Sequence, residues 1–297
     1  MNTLPSGLDP ESLAAFPRRI VCLTEETTEV LYLLGAGHRI AGVSGYTVRP
    51  PEARAKPKVS AFVTARYDKI LALEPDLVLA FSDLQADVAA ELIRRGLNVL
   101  TFNQRSIGEI LEMVLALARL VGEEKKGLEL VARLDGDLRA VAESAARFPR
   151  RPRVFFEEWN DPLLSGIRWV DELIEVAGGE PIFPELRVSR AARGRIVTPA
   201  EVAKRDPEVV IGSWCGRKVK KGVIRSREGW SQVCAVRAGH IYEIASAVIL
   251  QPGPAAITEG LRQAHAILAH SLGVNVDVRL APSWPLDRDL ARALARP

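Results

Sequence analysis

From Arg19 onward, short apolar runs alternate with stretches of helical period, and that alternation predicts the elements. Ile20, Val21, Cys22 and Leu23 form an unbroken apolar run, as expected of a strand buried on both faces. A polar turn, Thr24 to Thr27, leads into Val30, Leu31, Leu33 and Leu34 at helical spacing, stopped by Gly35 and Gly37. A second strand is expected over Arg39 to Ser44. After a proline-rich stretch come a helix from Tyr67 to Leu73 ending at Pro75, a buried strand Leu77 to Ala80, a helix Asp83 to Arg95 and a strand Asn98 to Phe102. Elements in this order build a mostly parallel sheet covered on both faces.

Ser106 to Phe148 contains no strand candidate. Leu128, Val131, Leu134, Leu138 and Val141 keep a helical period, and a helix from about Glu124 to Ala146 would span ~35 Å. That length suits a strut between lobes. Beyond Pro149 and Pro152 the pattern restarts, with a strand Arg153 to Phe156, a polar turn Glu157 to Gly166 and a helix Val170 to Ala177 closed by Gly178 and Gly179. The helix-proline-strand phrase from Tyr67 to Leu79 recurs from Pro199 to Ile211, and Pro75 and Pro207 fall 56 and 54 residues after Arg19 and Arg153. The expected organisation is an N-terminal arm (1–18), an α/β lobe (19–105), a linking helical region (106–148), a second α/β lobe (149–270) and a surface tail (271–297). The fold class is therefore α/β, with two doubly wound lobes joined by one long helix and a ligand cleft between them.

Composition narrows the partners. The 297 residues are 47% hydrophobic and 26% charged, and the net charge of +3 is a small surplus that gives no basic patch for nucleic acid. No segment reaches the ~18 apolar residues of a membrane-spanning helix. Cys22, Cys215 and Cys234 show no metal-site or disulfide spacing and fit a reducing compartment. The first 19 residues contain acids and three prolines without the apolar run of a signal peptide. A cytoplasmic location is expected on these grounds, with a periplasmic one as the alternative if translation starts upstream.

Arg19-Ile20-Val21-Cys22-Leu23-Thr24, Thr28-Glu29-Val30-Leu31, Leu34-Gly35, Ile40 to Ser44, Ile70 to Leu79 and Glu175-Val176-Ala177-Gly178-Gly179 together resemble the substrate-binding proteins of cobalamin and iron-siderophore ABC importers, nearest the cobalamin binders. The resemblance covers roughly residues 19 to 270. It implies non-catalytic capture of a corrinoid, or of a related chelate such as a siderophore or haem, between lobes that move little. It places Tyr46, Phe62 and Phe81 as aromatic ligand contacts of the first lobe. It also implies docking to an ABC permease through one surface glutamate per lobe. The matching positions here are Asp68 and Ala200, with Glu201 one residue on, a departure that weakens the docking expectation.

Further candidates come from the loops at the strand ends, where doubly wound sheets bind ligands. Glu25 and Glu26 follow the first strand; Glu157, Glu158 and Trp159 follow that of the second lobe. Such carboxylates can bind a cationic group, hold a hard metal ion or form an acid/base pair, and they leave open an enzyme using Glu25, Glu157 or Cys215. No metal site is assigned. Trp214 and Cys215 stand in a loop after a buried strand, one suited to stacking on a macrocycle and the other to a soft metal. Arg168 and Trp169 precede a helix and suit an anionic substituent and an apolar face, and Gln251 precedes the last helix. The basic run from Arg217 to Arg227 reads as a solvated face.

Overall fold

The computed structural model describes residues 16–283, 285–289 and 291. The expected N-terminal arm lies outside the described residues up to residue 15, as do Trp284, Leu290 and 292–297 of the expected tail. Among the described residues the chain forms two compact units, one running to Asn103 and including Val114–Leu128, the other made of Gln104–Met113 and the chain from Glu129.

In the first unit, β1 (Ile20–Cys22), α1 (Glu25–Leu33), β2 (Ile40–Ser44), β3 (Lys58–Ala61), β4 (Thr64–Ala65), α2 (Tyr67–Ala72), β5 (Leu77–Phe81), α3 (Ala86–Arg94) and β6 (Val99–Phe102) build a sheet of order β4-β3-β2-β1-β5-β6. All its pairs are parallel except β3 with the short edge strand β4. The chain winds outward from β1 in both directions, so β1 and its neighbours β2 and β5 end on one edge. Val21, Leu23, Val78 and Ala80 join Val59, Ile70, Val88 and Leu92 in one core.

Two helices, α4 (Ile107–Leu120) and the 22-residue α5 (Glu124–Ala145), follow, and the division between units runs through both. The long helix falls where its apolar period put it. In the second unit β7 (Arg153–Asn160), β8 (Leu163–Ser165), α6 (Arg168–Val176), β9 (Glu180–Pro181), α7 (Pro199–Arg205), β10 (Val209–Gly212), α8 (Lys221–Arg225), α9 (Cys234–Ala238) and β11 (Ile241–Glu243) form the sheet β11-β10-β7-β8, with β9 beside the start of β7. The chain then runs through α10 (Ser246–Ile249) and a π-helical turn (Ala256–Gly260) into α11 (Leu261–Ser271). Both sheets carry flanking helices, which makes the α/β assignment correct.

The internal repeat reaches the backbone. Glu74 and Asp206, the residues before Pro75 and Pro207, both take left-handed conformations, with φ of 46° and 44°. Each closes a helix whose last carbonyls are capped from the leading strand, by Arg19 on Leu73 at 2.6 Å and by Arg153 on Asp206 at 2.7 Å. Asp76 and Glu208 return the favour by accepting the backbone N–H of those same arginines, each at 3.0 Å. Equal spacing therefore reflects one capping device used twice.

Two expectations need correction. The segment from Glu157 is a continuation of β7 that turns back into β8, antiparallel, where a polar turn was expected. The described part of the tail is tied to the second unit, Ser283 donating to the buried Glu259 at 2.8 Å and Lys221 bridging Asp287 at 2.8 Å.

At the end of β10, Gly212 admits Val219 so closely that an added Cβ would stand 2.8 Å from a Val219 methyl. Gly212→Ala should therefore cost ~1–3 kcal/mol through overpacking, seen as a lowered urea midpoint, and Val219→Ala in the same chain should recover part of it.

Candidate functional site

Because the central strands are parallel, the loops after β1, β2, β3 and β5 share one edge of the first sheet. Glu25 and Glu26 open α1 there, both buried. Glu26 Oε1 accepts the Thr24 hydroxyl at 2.6 Å, and Arg49 pairs with Glu29 at 3.0 Å. Burial raises Glu25 to about 7. Burial raises Glu26 to about 8, opposed by the Thr24 hydrogen bond and reinforced by the charge of Glu25. Glu26 is thus held largely protonated near neutral pH, and Glu25 is poised to titrate there. Tyr46, after β2, is 48% exposed, while Phe62, after β3, is half-buried and Phe81, ending β5, is buried. Sequence reasoning missed two apolar side chains on the same edge, Val63 at 56% and Leu84 at 55% exposure. Their signal was a large apolar residue in a strand-end loop.

The second unit treats its acids differently. Glu157 is 0% exposed and receives Arg227 at 2.6 and 2.7 Å and the Trp214 indole N–H at 3.0 Å. A strand can continue through this carboxylate because a guanidinium neutralises it. Glu158 is clamped at 2.5 and 3.0 Å by the buried Arg195, which also donates to the Ser165 carbonyl at 2.6 Å. As placed, Glu157 is enclosed by its partners and Glu158 is paired and partly exposed, where the loop reading expected both to face a ligand. Nearby, burial lifts Asp171 to about 8 against the lowering pull of Arg187 and Arg195. Arg195 was missed, and Arg227, read from the sequence as part of a solvated face, is instead drawn inward onto Glu157; they lie 37 and 70 residues from the acids they hold.

The tryptophans also divide. Trp214 packs in the second unit's core with Phe155, Val210 and Trp230. Trp169 is buried with its N–H on the Ile249 carbonyl at 3.0 Å. Both are structural as placed, in contrast to the ligand-stacking role expected of them. Trp159 is half-buried near the end of β7 with Arg217 lying 5.3 Å over its ring. Cys215 is exposed at the tip of a tight turn in which the Arg217 N–H meets the Trp214 carbonyl at 3.0 Å. Arg168 is exposed and paired with Glu172 at 2.8 Å, and Gln251 is half-buried before the π-helical turn. Among the described residues, no group of three or more His, Cys, Asp or Glu is arranged to hold a metal ion.

The two docking positions differ as well. Asp68, in the first turn of α2, is fully exposed, 3.7 Å from Arg95. Glu201 is engaged in a capping box at the start of α7, accepting the Thr198 N–H at 2.7 Å and hydroxyl at 2.8 Å.

A family model described as periplasmic binding protein matches residues 20–248. The chain belongs to the periplasmic binding protein family. A similar sequence is that of the uncharacterized ABC transporter substrate-binding lipoprotein YvrC of Bacillus subtilis, 27% identical over 83% of this chain and 78% of the relative. The vitamin B12-binding protein of Vibrio parahaemolyticus is 25% identical over 72% of this chain and 80% of its own length. A periplasmic heme binding protein from Pseudomonas aeruginosa has the same fold, with a TM-score of 0.75 at 18% identity, over 92% of this chain and 98% of that one. The chain is accordingly a solute-binding protein and not an enzyme. Membership of the periplasmic binding protein family also overturns the cytoplasmic location expected from the N-terminal sequence.

Two predictions follow from the contrasting acids. Removing the cation in Arg227→Ala leaves Glu157 buried and uncompensated, a loss of ~3–5 kcal/mol that Glu157→Gln in the same chain should largely reverse in chemical denaturation. In the first unit, the folded chain keeps protons that Glu25 and Glu26 release near 4.5 when exposed. Their contribution to stability is complete below that pH and is lost as pH rises through about 8. Glu26→Gln should thus raise Tm by roughly 4 °C or more at pH 8.5, with the gain vanishing at pH 4, as read by calorimetry.

Proposed function

We propose that the chain is the substrate-binding subunit of an ABC importer and carries a metal chelate of the corrinoid, haem or siderophore class. The observation that carries this reading is the rim of exposed apolar side chains, Tyr46, Val63 and Leu84, on the sheet edge where doubly wound folds take their ligands. Large apolar side chains gathered at a strand-end edge suit a broad, partly apolar molecule better than a sugar or amino acid. Relatives named for vitamin B12 and haem binding support the same class. The ligand contacts we assign on the first unit are Tyr46, Phe62, Val63 and Leu84; the second unit, taken by itself, offers Trp159, Arg168, Cys215 and Gln251. Trp159 under the Arg217 guanidinium offers a flat surface of the kind that stacks on a macrocycle.

The partner is an ABC permease. Asp68 is fully exposed, with only a 3.7 Å approach from Arg95 to give up on meeting a permease arginine, whereas the carboxylate of Glu201 is already engaged by Thr198. We assign the docking charge of the first unit to Asp68 and leave Glu201 its helix-capping role.

Titration of the purified protein with cyanocobalamin, haemin and a ferric hydroxamate, followed by absorbance and tryptophan fluorescence, tests the reading. At least one should bind with micromolar or better affinity, and Tyr46→Ala should weaken that binding about tenfold through loss of a buried aromatic contact. Failure of all three to bind would remove the chelate class.

A further inference from the structure

Glu26 is an oddity even among buried acids. It is 1% exposed, its Oε1 is taken by the Thr24 hydroxyl at 2.6 Å, and its Oε2 is buried without a hydrogen-bond partner. Leaving such an atom unfilled costs ~1–3 kcal/mol, so a folded chain keeps one mainly where something else is to fill it. On the neighbouring strand, in the loop after β2, Thr47 Oγ1 is likewise buried without a partner. On the other side, Ser82 at the end of β5 holds φ 61° and ψ 174°, a region that side-chain-bearing residues occupy at a cost of ~1–3 kcal/mol and that concentrates at ligand sites. Two unfilled polar atoms and one strained residue thus fall on the three adjacent strand ends β2, β1 and β5.

The surroundings decide which form of Glu26 is present. The groups acting on it are Glu25 beside it, Glu29 one turn on and Cys22 on β1, itself pushed up to about 12 by burial. Arg49, the cation from the loop after β2, is held by Glu29. Strand β2 contributes no titratable side chain, and His38 and Arg39 follow the opposite end of α1. An acid in acidic, dry surroundings keeps its proton. With Oε1 accepting from Thr24, that proton sits on Oε2, which becomes a donor facing no acceptor.

We infer that Glu26, as the neutral acid, donates a hydrogen bond from Oε2 to a carbonyl-type oxygen on the rim of the bound chelate, with the Thr47 hydroxyl as a second donor. The oxygen is a carboxamide carbonyl on a corrinoid, a propionate on haem or a hydroxamate carbonyl on a siderophore. Binding is then proton-linked: above the pH at which Glu26 ionises, the donor is replaced by a carboxylate that repels the same oxygen. This assignment rests on the reading of the chain as a chelate carrier.

Binding of cyanocobalamin, haemin and a ferric hydroxamate by the full chain, measured at pH 6.5 and pH 9.5, tests it. Wild-type affinity should fall about tenfold between the two. Glu26→Gln, which keeps an N–H donor in place of the O–H, should bind within about threefold of wild type at pH 6.5 and lose most of the pH dependence. Glu26→Leu should lose about tenfold already at pH 6.5. Wild-type affinity that stays level or rises with pH, a full pH slope kept by Glu26→Gln, or equal losses in the Gln and Leu variants overturns the inference while leaving the chelate reading intact. Absence of binding to all three probes at either pH overturns the inference together with that reading.

Discussion

Each unit begins with a buried strand that runs directly into acidic residues, and a carboxylate taken out of water there costs several kcal/mol unless a cation or a proton neutralises it. The second unit uses a cation. Arg227 and the Trp214 indole close on Glu157, Arg195 closes on Glu158, and β7 can run on into a hairpin through what would otherwise be forbidden positions. The first unit uses the proton: burial lifts Glu26, at the first turn of α1, to about 8, and its Oε2 stays buried without a hydrogen-bond partner. The same sequence feature, an apolar strand followed by two acids, therefore yields a locked joint in one unit and, in the other, an acid with one unfilled oxygen.

Much of the fold was legible because it is written in local spacing. The unbroken apolar runs are the buried parallel strands, and the long helical period from Glu124 is α5. The repeat of helix, proline and strand marks one backbone device, a left-handed residue before the proline with a strand-leading arginine capping the helix. These features depend on neighbours within a few residues or on pairing within one sheet, so period and punctuation suffice to find them.

The site was less legible, and the failures share a cause. Whether Glu157 is a loop acid or a strand residue is decided by Arg227, 70 residues away. Whether Trp169 covers a ligand or fills the core is decided by the Ile249 carbonyl, 80 residues away. A polar partner at that separation leaves no periodic trace in the chain. Conversely, Val63 and Leu84 were passed over because single apolar residues in loops are common on protein surfaces; only the parallel sheet, by bringing their loops to one edge with Tyr46, gives them collective meaning.

The same unequal treatment of two related positions extends to the outer surface. In a capping box the carboxylate is consumed by the first turn of its own helix, where it is worth about as much to stability as a surface ion pair is to docking. Glu201 stands in that arrangement, its Oε2 shared between the Thr198 N–H and hydroxyl, and drawing it onto a permease arginine would uncap α7. Asp68 has no such obligation beyond a long, solvent-exposed approach to Arg95. An importer partner that relied on matched charges from both units would meet a full charge from one and a committed one from the other. Any contact made through Glu201 would therefore compete with the cap of α7.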